Sequence, residues 1–143
     1  MGHLEVLVIE LSKRAVATKH FRWMPGMRLS CPTRGYGRII ALTPGLLIEW
    51  EQGYHRKTWT LEQARLELLP DLNDPATLGC FLSLVRKAWN QPHAAAAMGG
   101  FGWNVYSFVT NGLIGDEPAI TGRYGDGYTT EAGAFVSLLE IAP

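Results

Sequence analysis

The sequence predicts an α+β fold: a small, strongly bent β-barrel followed by a unit of helix, antiparallel sheet and helix. Three observations predict it. Residues 35–59 contain short β-branched and aromatic runs separated by glycine-containing turns, as small barrels do. Beyond residues 70–74, PDLND, the apolar period changes from about 2 to about 3.6. The chain then ends on a second apolar helix pattern. The predicted domains are therefore residues 1–70 and 71–143.

The predicted barrel domain begins with a strand. Residues 4–11, LEVLVIEL, carry apolar residues at alternating and at intervening positions, which is typical of a strand covered on both faces. Residues 12–21 contain several cations and predict a basic loop or a second strand. Pro25-Gly26 predicts a turn, and residues 27–30 begin another strand.

Three central strands and one helical turn follow. GRIIAL (37–42), LLIEW (46–50) and YHRKTWT (54–60) predict strands. Thr43-Pro44-Gly45 predicts a turn, because Pro presets φ and Gly can take a positive φ.

Thr60 predicts the N-cap of a short helical turn, with Gln63 at the reciprocal capping-box position. Residues 65–69 predict the last barrel strand.

The second domain begins with a well-marked helix. Asp74-Pro75 provides an acidic cap and a proline at the first helical position. The apolar stripe that follows consists of Leu78, Phe81, Leu82, Val85, Ala88 and Trp89. Residues 93–102 predict a flexible or briefly helical connector, and residues 103–110 a strand.

A hairpin and a closing helix complete the second domain. Asn111-Gly112 predicts a two-residue hairpin turn, and residues 119–124 predict a further strand. Thr130 predicts the cap of a final helix that ends at Ile141. The face predicted to be buried consists of Ala132, Phe135, Val136 and Leu139.

Composition excludes several protein classes. The chain is 47% hydrophobic and 18% charged, which is typical of a globular protein and not of a disordered tail. Its two cysteines cannot form a disulfide framework, and no Cys or His spacing matches a zinc site. The start lacks the pattern of a signal peptide, and no apolar run approaches the roughly 20 residues that span a bilayer. We expect a cytoplasmic protein without metal, cofactor or membrane contact.

The net charge of zero conceals two opposite halves. Residues 1–60 contain nine Lys or Arg against four Asp or Glu, a net of +5, and residues 61–143 contain four against nine, a net of −5. Such asymmetry favours a basic surface that meets an anion and an acidic surface that meets another partner. The alternative is that the two halves neutralise each other within one fold or in a dimer.

No constellation of residues predicts catalysis. A nucleophile needs a base and an orienting group. Cys31 with His55, or Cys80 with His93, has the right residue types, but nothing in the sequence brings the members of either pair together. The glycines at 99–102 precede a strand, whereas a phosphate cradle follows a strand and opens a helix. We expect a non-enzymatic protein. Three carboxylates form a predicted acidic surface, with a divalent-ion site as the weaker alternative: Asp116, Glu117 and Asp126.

The candidate binding surface is basic and aromatic. Its predicted residues are Arg34, Tyr36, Arg38, Tyr54, His55, Arg56 and Lys57, with Trp59 beside them. Cations neutralise phosphates and aromatic rings stack on bases, so the set predicts nucleic-acid contact. Aromatic residues and arginine are equally the usual anchors of protein interfaces. A third alternative places Tyr36 and Trp59 in the core, with the cations merely solvated.

Two segments carry a resemblance. GMRLS, GYGRIIAL and GLLIEWEQG, within residues 26–70, resemble SH3-like barrels of the KOW and Tudor kind. LLPDLNDPATLGCFLSLVRKAW with TTEAGAFVSLLEIA, within residues 68–143, is similar to small uncharacterised phage and prophage proteins with an α-β-β-β-α arrangement. The alanines at 94–97 and the leader 1–25 depart from the commoner pattern.

The resemblance implies a phage accessory protein with no catalytic residues to transfer. We therefore expect a binding protein in the host bacterial cytoplasm, an inhibitor of the anti-CRISPR kind that docks on a host defence protein or ribonucleoprotein complex. The alternative is an accessory protein that binds nucleic acid through the basic-aromatic surface.

Overall fold

In the computed structural model the described residues form four helices and eight strands, which confirms the α+β class. The structure describes residues 3–53, 56–99, 102–107, 112–113 and 130–143. The chain forms two compact units. Unit 1 contains Met1–Ala17 and Arg22–Cys80, and unit 2 contains Thr18–Phe21 and Phe81–Pro143. The domain limits 1–70 and 71–143 stay a prediction.

The first element is a helix, so the strand predicted at residues 4–11 is wrong. Helix α1 spans His3–Ala17 and includes residues 12–17 of the predicted basic stretch, whereas residues 18–21 follow it without helix or strand. Ser12 and Ala15 are buried and Val8 is half-buried, a spacing of four and three that only a helix places on one side. A short apolar run fits both periods, and 15 residues without Gly or Pro favour the helix.

Unit 1 is built on one antiparallel sheet with the strand order β4-β3-β2-β1-β5. The strands are β1 (Arg28–Cys31), β2 (Gly35–Thr43), β3 (Gly45–Trp50), β4 (Arg56–Trp59) and β5 (Leu69–Pro70). In the described residues β4 and β5 lie at the two edges, and closure into a barrel is not shown. The hydroxyl of Ser12 lies 2.9 Å from the carbonyl oxygen of Pro70, which fixes α1 against β5.

The turns of this sheet follow the predicted glycines, although not always for the predicted reason. Gly26 takes the left-handed φ of 95° that its turn requires. Gly45 is instead needed because a Cβ there would collide with the carbonyl oxygen of Trp59 on the neighbouring strand. A register shift between Ile39 and Ala41 bends β2.

The core of unit 1 lies on one face of the sheet. Ile39 of β2 and Ile48 of β3 are paired directly and are both buried. Leu29 of β1 and Leu46 of β3 are buried as well. Full burial of such side chains stabilises a fold by about 1.5–3 kcal/mol each. The sheet is thus anchored by its β-branched and leucine positions.

A capped helix leads from β4 to β5, as predicted. Helix α2 spans Leu61–Glu67, and the Thr60 hydroxyl accepts a bond from the Gln63 N–H at 3.0 Å. The Gln63 side chain accepts one from the Thr60 N–H at 3.1 Å, which completes the capping box. The last strand of this sheet was predicted at residues 65–69, but the helix continues to Glu67, so the strand is the two-residue β5, Leu69–Pro70.

The third helix begins at the predicted proline. Helix α3 spans Pro75–Ala88, beginning in unit 1 and ending in unit 2. Phe81, Leu84 and Val85 are its buried apolar residues. The rings of Phe81 and Phe21 lie 5.8 Å apart in unit 2.

Unit 2 contains a second antiparallel sheet with the order β6-β7-β8. Its strands are β6 (Ala94–Gly99), β7 (Gly102–Ser107) and β8 (Gly112–Leu113). The connector predicted at residues 93–102 is therefore wrong, because residues 94–99 pair with β7 along their whole length. Gly112, predicted as the second residue of a hairpin turn, instead pairs with Ser107 inside the ladder, and Asn111 lies outside the described residues. The strand predicted at residues 119–124 lies outside the described residues.

The last helix confirms its prediction. Helix α4 spans Glu131–Ile141, and the Thr130 hydroxyl accepts a bond from the Gly133 N–H. The four residues predicted to be buried are buried, together with Ala134 and Leu138. The Trp89 indole donates a 3.1 Å bond to the Leu138 carbonyl.

Candidate functional site

The predicted basic-aromatic residues separate into three groups. Arg34, Tyr36 and Arg38 lie on or beside β2 in unit 1. Arg56 and Lys57 belong to β4, where they are in register with Glu49 and Ile48 of β3. The other two predicted residues, Tyr54 and His55, lie outside the described residues, as do the acidic residues Asp116, Glu117 and Asp126.

Arg28, which the sequence analysis did not single out, is the centre of the site. It lies opposite Arg38 in the β1–β2 register. Its Nε and Nη2 donate to Glu51 at 2.7 and 3.1 Å, and its Nη1 donates to Asp71 at 2.6 Å. Its Cζ lies 3.9 Å from the centroid of the Tyr36 ring, a cation–π contact. These bonds, first that to Glu51, raise the pKa of Arg28 and hold its planar group in one orientation.

Arg38 is paired with the residue that caps α3. Its Nη1 and Nη2 donate to the two carboxylate oxygens of Asp74, both at 3.0 Å. Asp74 Oδ2 also accepts bonds from the N–H of Thr77 at 3.0 Å and from its hydroxyl at 2.9 Å. The Arg38 bonds, opposed by burial and aided by Thr77, lower the pKa of Asp74 to about 2.

The charges of Arg28 and Arg38 are therefore neutralised by carboxylates within unit 1. Arg28 and Arg38 carry two positive charges, and Glu51, Asp71 and Asp74 carry three negative ones. The bond from Arg28 lowers the pKa of Glu51, so this carboxylate is also ionised at neutral pH. The pairs Arg28–Asp71 and Arg38–Asp74 join the two oppositely charged halves of the sequence. For them, the alternative of mutual neutralisation within one fold is confirmed.

Apolar side chains and two clefts accompany the ion pairs. Tyr36 is 44% exposed and Ile40 is 39% exposed. Both lie on β2, and Arg38 lies midway between them in the sequence. One cleft of about 480 Å³ includes Arg38, Ile40 and Asp74 in its lining. A second, of about 460 Å³, includes Tyr36. We call this surface the paired-arginine face, and its residues are Arg28, Tyr36, Arg38, Ile40, Glu51, Asp71 and Asp74.

Arg34 has a different environment. Its Cζ lies 5.7 Å from the ring centroid of Trp59 and 6.0 Å from that of Trp50. The two rings are themselves tilted partners at 5.7 Å and are buried, which confirms a core position for Trp59. Their indole N–H groups have no hydrogen-bond partner within the described residues. Arg34 also lines a cleft of about 310 Å³.

The cysteines do not provide a nucleophile of the usual kind. Cys31 is buried, and burial raises the pKa of the Cys80 thiol, which disfavours the reactive thiolate. The described residues contain no group of three or more His, Cys, Asp or Glu side chains that could hold a metal ion. None of the described helices is long and apolar enough to span a membrane.

No family model, curated protein or solved structure matches this chain. The site residues that the sequence analysis missed, Arg28, Glu51 and Asp71, have no local signal. Asp74 was identified only as a helix cap. Its link to Arg38 spans 36 residues, so only the fold brings the two together.

Proposed function

We propose that this chain is a non-enzymatic binding protein that docks on a partner protein through the paired-arginine face. The observation that carries the proposal is the pairing of Arg28 and Arg38 with three carboxylates around the exposed Tyr36 and Ile40. Aromatic and arginine side chains at the centre of a surface, ringed by polar groups, are typical of protein interfaces.

The alternative of nucleic-acid binding has less support. A nucleic-acid backbone is bound by cations that release its counterions. On this face Arg28 and Arg38 already have carboxylate partners, and the additional carboxylate would repel phosphates. A protein surface with an apolar patch and a basic rim is the better complement.

The contacts that hold the two arginine side chains in place also favour docking. Arg28 is held by three hydrogen bonds and an aromatic ring, and Arg38 by Asp74 and by a 2.7 Å bond to the Gly26 carbonyl. Side chains fixed before binding lose little conformational entropy on association. The face is therefore presented to a partner in one arrangement.

Three finer predictions accompany this proposal. A closed SH3-like barrel is supported by the position of β5 beside β1, with a short helix between β4 and β5. A phage or prophage origin, and inhibition of a host defence complex in the bacterial cytoplasm, rest on the resemblance of residues 68–143. The predicted partner remains a host protein or ribonucleoprotein.

The test compares two tagged variants in a pull-down from bacterial lysate, with and without nuclease. The double substitution Tyr36→Ala with Ile40→Ser removes the apolar part of the face. The matched control, Leu66→Ser, changes a 73% exposed leucine on α2 of the same unit. We expect the wild type and the control to retain the same partner after nuclease treatment, and the double variant to lose it. A partner that the double variant retains, or that nuclease removes from the wild type, would refute the proposal.

A further inference from the structure

Arg34 lies over a platform of two buried indole rings. Trp50 and Trp59 are only 5% and 6% exposed, and the Arg34 guanidinium carbon lies within 6.0 Å of both ring centroids. This is the distance range of a cation–π contact. Aromatic rings hold a guanidinium without neutralising its charge or occupying its N–H donors. Arg34 thus keeps its hydrogen-bonding fork for another group.

Within the part of the chain that the structure describes, the charge of Arg34 has no carboxylate partner. Among the described residues its guanidinium makes aromatic contacts and no ion pair, whereas Arg28, Arg38 and Arg65 each meet a carboxylate. Arg28 and Arg38, on the neighbouring strands, thus form ion pairs within unit 1, whereas the charge of Arg34 can pair with a ligand. That contrast marks Arg34 as a candidate ligand-binding residue.

A cleft of about 310 Å³ adjoins this guanidinium. Thr33 and Gln52 are polar residues of its lining, and Trp50 is an apolar one. Gly35 and Gly53, both with positive φ, form turns that line it without side chains. Among the described residues, the lining contains one cation and no carboxylate. The cleft therefore fits a small group with a single negative charge and a planar pair of acceptors.

We propose that this cleft is a carboxylate-binding subsite in which the Arg34 fork receives both oxygens of the ligand. The carboxylate is that of an acidic side chain or of a chain terminus in a partner protein. A guanidinium matches a carboxylate in a bidentate geometry, and one cation balances one carboxylate. A nucleic-acid phosphate track needs several unpaired cations in succession, and Arg28 and Arg38 are already paired.

The subsite does not depend on the paired-arginine face, because Tyr36 and Ile40 do not line it. Its test needs no partner protein and is distinct from the pull-down. The full chain, labelled with ¹⁵N, is titrated with sodium acetate against sodium chloride at constant ionic strength. The signals followed are the Arg34 Nε–H and the indole N–H groups of Trp50 and Trp59. A blocked glutamate amide and N-acetylglycine then distinguish a side-chain from a terminal carboxylate.

We expect saturable shifts of these signals with acetate, at a dissociation constant on the order of millimolar, as suits one bidentate contact. Arg34→Gln should weaken binding at least about tenfold, and Arg34→Lys, which keeps the charge without the fork, by a smaller factor. Arg65→Gln, an exposed arginine of the same unit, should leave binding unchanged.

Three results would overturn the subsite. One is the absence of saturable shifts with acetate. Another is equal acetate binding by the wild type and Arg34→Gln. The third is inorganic phosphate binding about tenfold more tightly than acetate, which would assign the cleft to phosphate chemistry. If Arg34→Gln fails to fold, as judged by its amide spectrum, the Arg34→Lys comparison decides.

Discussion

Replacing Asp74 separates two roles that its carboxylate combines. Its Oδ2 caps α3 by accepting from the Thr77 N–H, and both oxygens bind Arg38. Asp74→Asn keeps an acceptor for the cap and removes the charge, whereas Asp74→Ala removes both. The difference between the two variants therefore measures the cap, and the difference between wild type and Asp74→Asn measures the ion pair.

The expected magnitudes follow from the pKa of Asp74. A fall from its ordinary value of 3.8 to about 2 corresponds to about 2 kcal/mol of stability at neutral pH. The Asp74 side chain is 12% exposed but that of Arg38 is 41% exposed, so solvent screens the pair and about 1–2 kcal/mol remains. An N-cap is worth about 1 kcal/mol. We expect Asp74→Asn to lose about 1–2 kcal/mol and Asp74→Ala about 2–3 kcal/mol.

The effect of pH has a definite sign. Because the pKa of Asp74 is lower in the folded than in the unfolded state, its stabilisation is present above pH 3.8. It is lost as the pH falls from 3.8 towards about 2. The gap between wild type and Asp74→Asn should be full at pH 7 and should narrow within that acid window. The gap between Asp74→Asn and Asp74→Ala should change little.

Urea denaturation, followed by both circular dichroism and tryptophan fluorescence, provides the free energies of unfolding. The two probes must report coincident transitions, because two compact units can unfold separately. Glu62→Gln is the control, since the Glu62–Arg65 pair is exposed on both sides and should change stability by less than about 0.5 kcal/mol. An Asp74→Asn variant as stable as wild type at pH 7, or a gap that persists unchanged at pH 2, would refute the reasoning.

The remaining predictions concern glycines and a cap, and the same urea assay tests them. Gly45→Ala should cost about 3 kcal/mol or more, because the new Cβ would collide with the Trp59 carbonyl oxygen. Gly79→Ala should instead add about 0.5–1 kcal/mol, since it is helical and its Cβ would meet nothing within 4 Å. If Gly45→Ala is as stable as the wild type, the position of β4 beside Gly45 is contradicted. Thr60→Ala should cost about 1 kcal/mol and Thr60→Ser almost nothing; equal losses would contradict the capping box.

Elements with local signals were predictable from the sequence. The caps at Thr60 and Thr130 each require only residues within three positions, and both form as predicted. The β-branched segments on either side of Pro44 likewise form β2 and β3. In each case the short-range pattern and the tertiary structure favour the same conformation.

Two elements were not predictable because non-local pairing or an ambiguous period decides them. Residues 94–99 include four alanines, which favour helix by intrinsic propensity, yet they form β6 against β7. The partner strand, and not the local sequence, determines that conformation. Residues 4–11 fit helix and strand periods alike, and the helix is decided by the continuation of the pattern to Ala17.

The candidate site shows why counting charges along a sequence does not locate a basic surface. Arg34, Arg38 and the missed Arg28 have the same charge and lie within eleven residues of one another. Asp71 and Asp74, far along the chain, neutralise two of them, and two tryptophans leave the third charge intact. Only Arg34, of these three, keeps a charge available to a ligand. Salt should therefore weaken carboxylate binding at Arg34 while leaving docking through Tyr36 and Ile40 much less affected. Equal salt sensitivity at both surfaces would mean that the pairs of Arg28 and Arg38 open in solution.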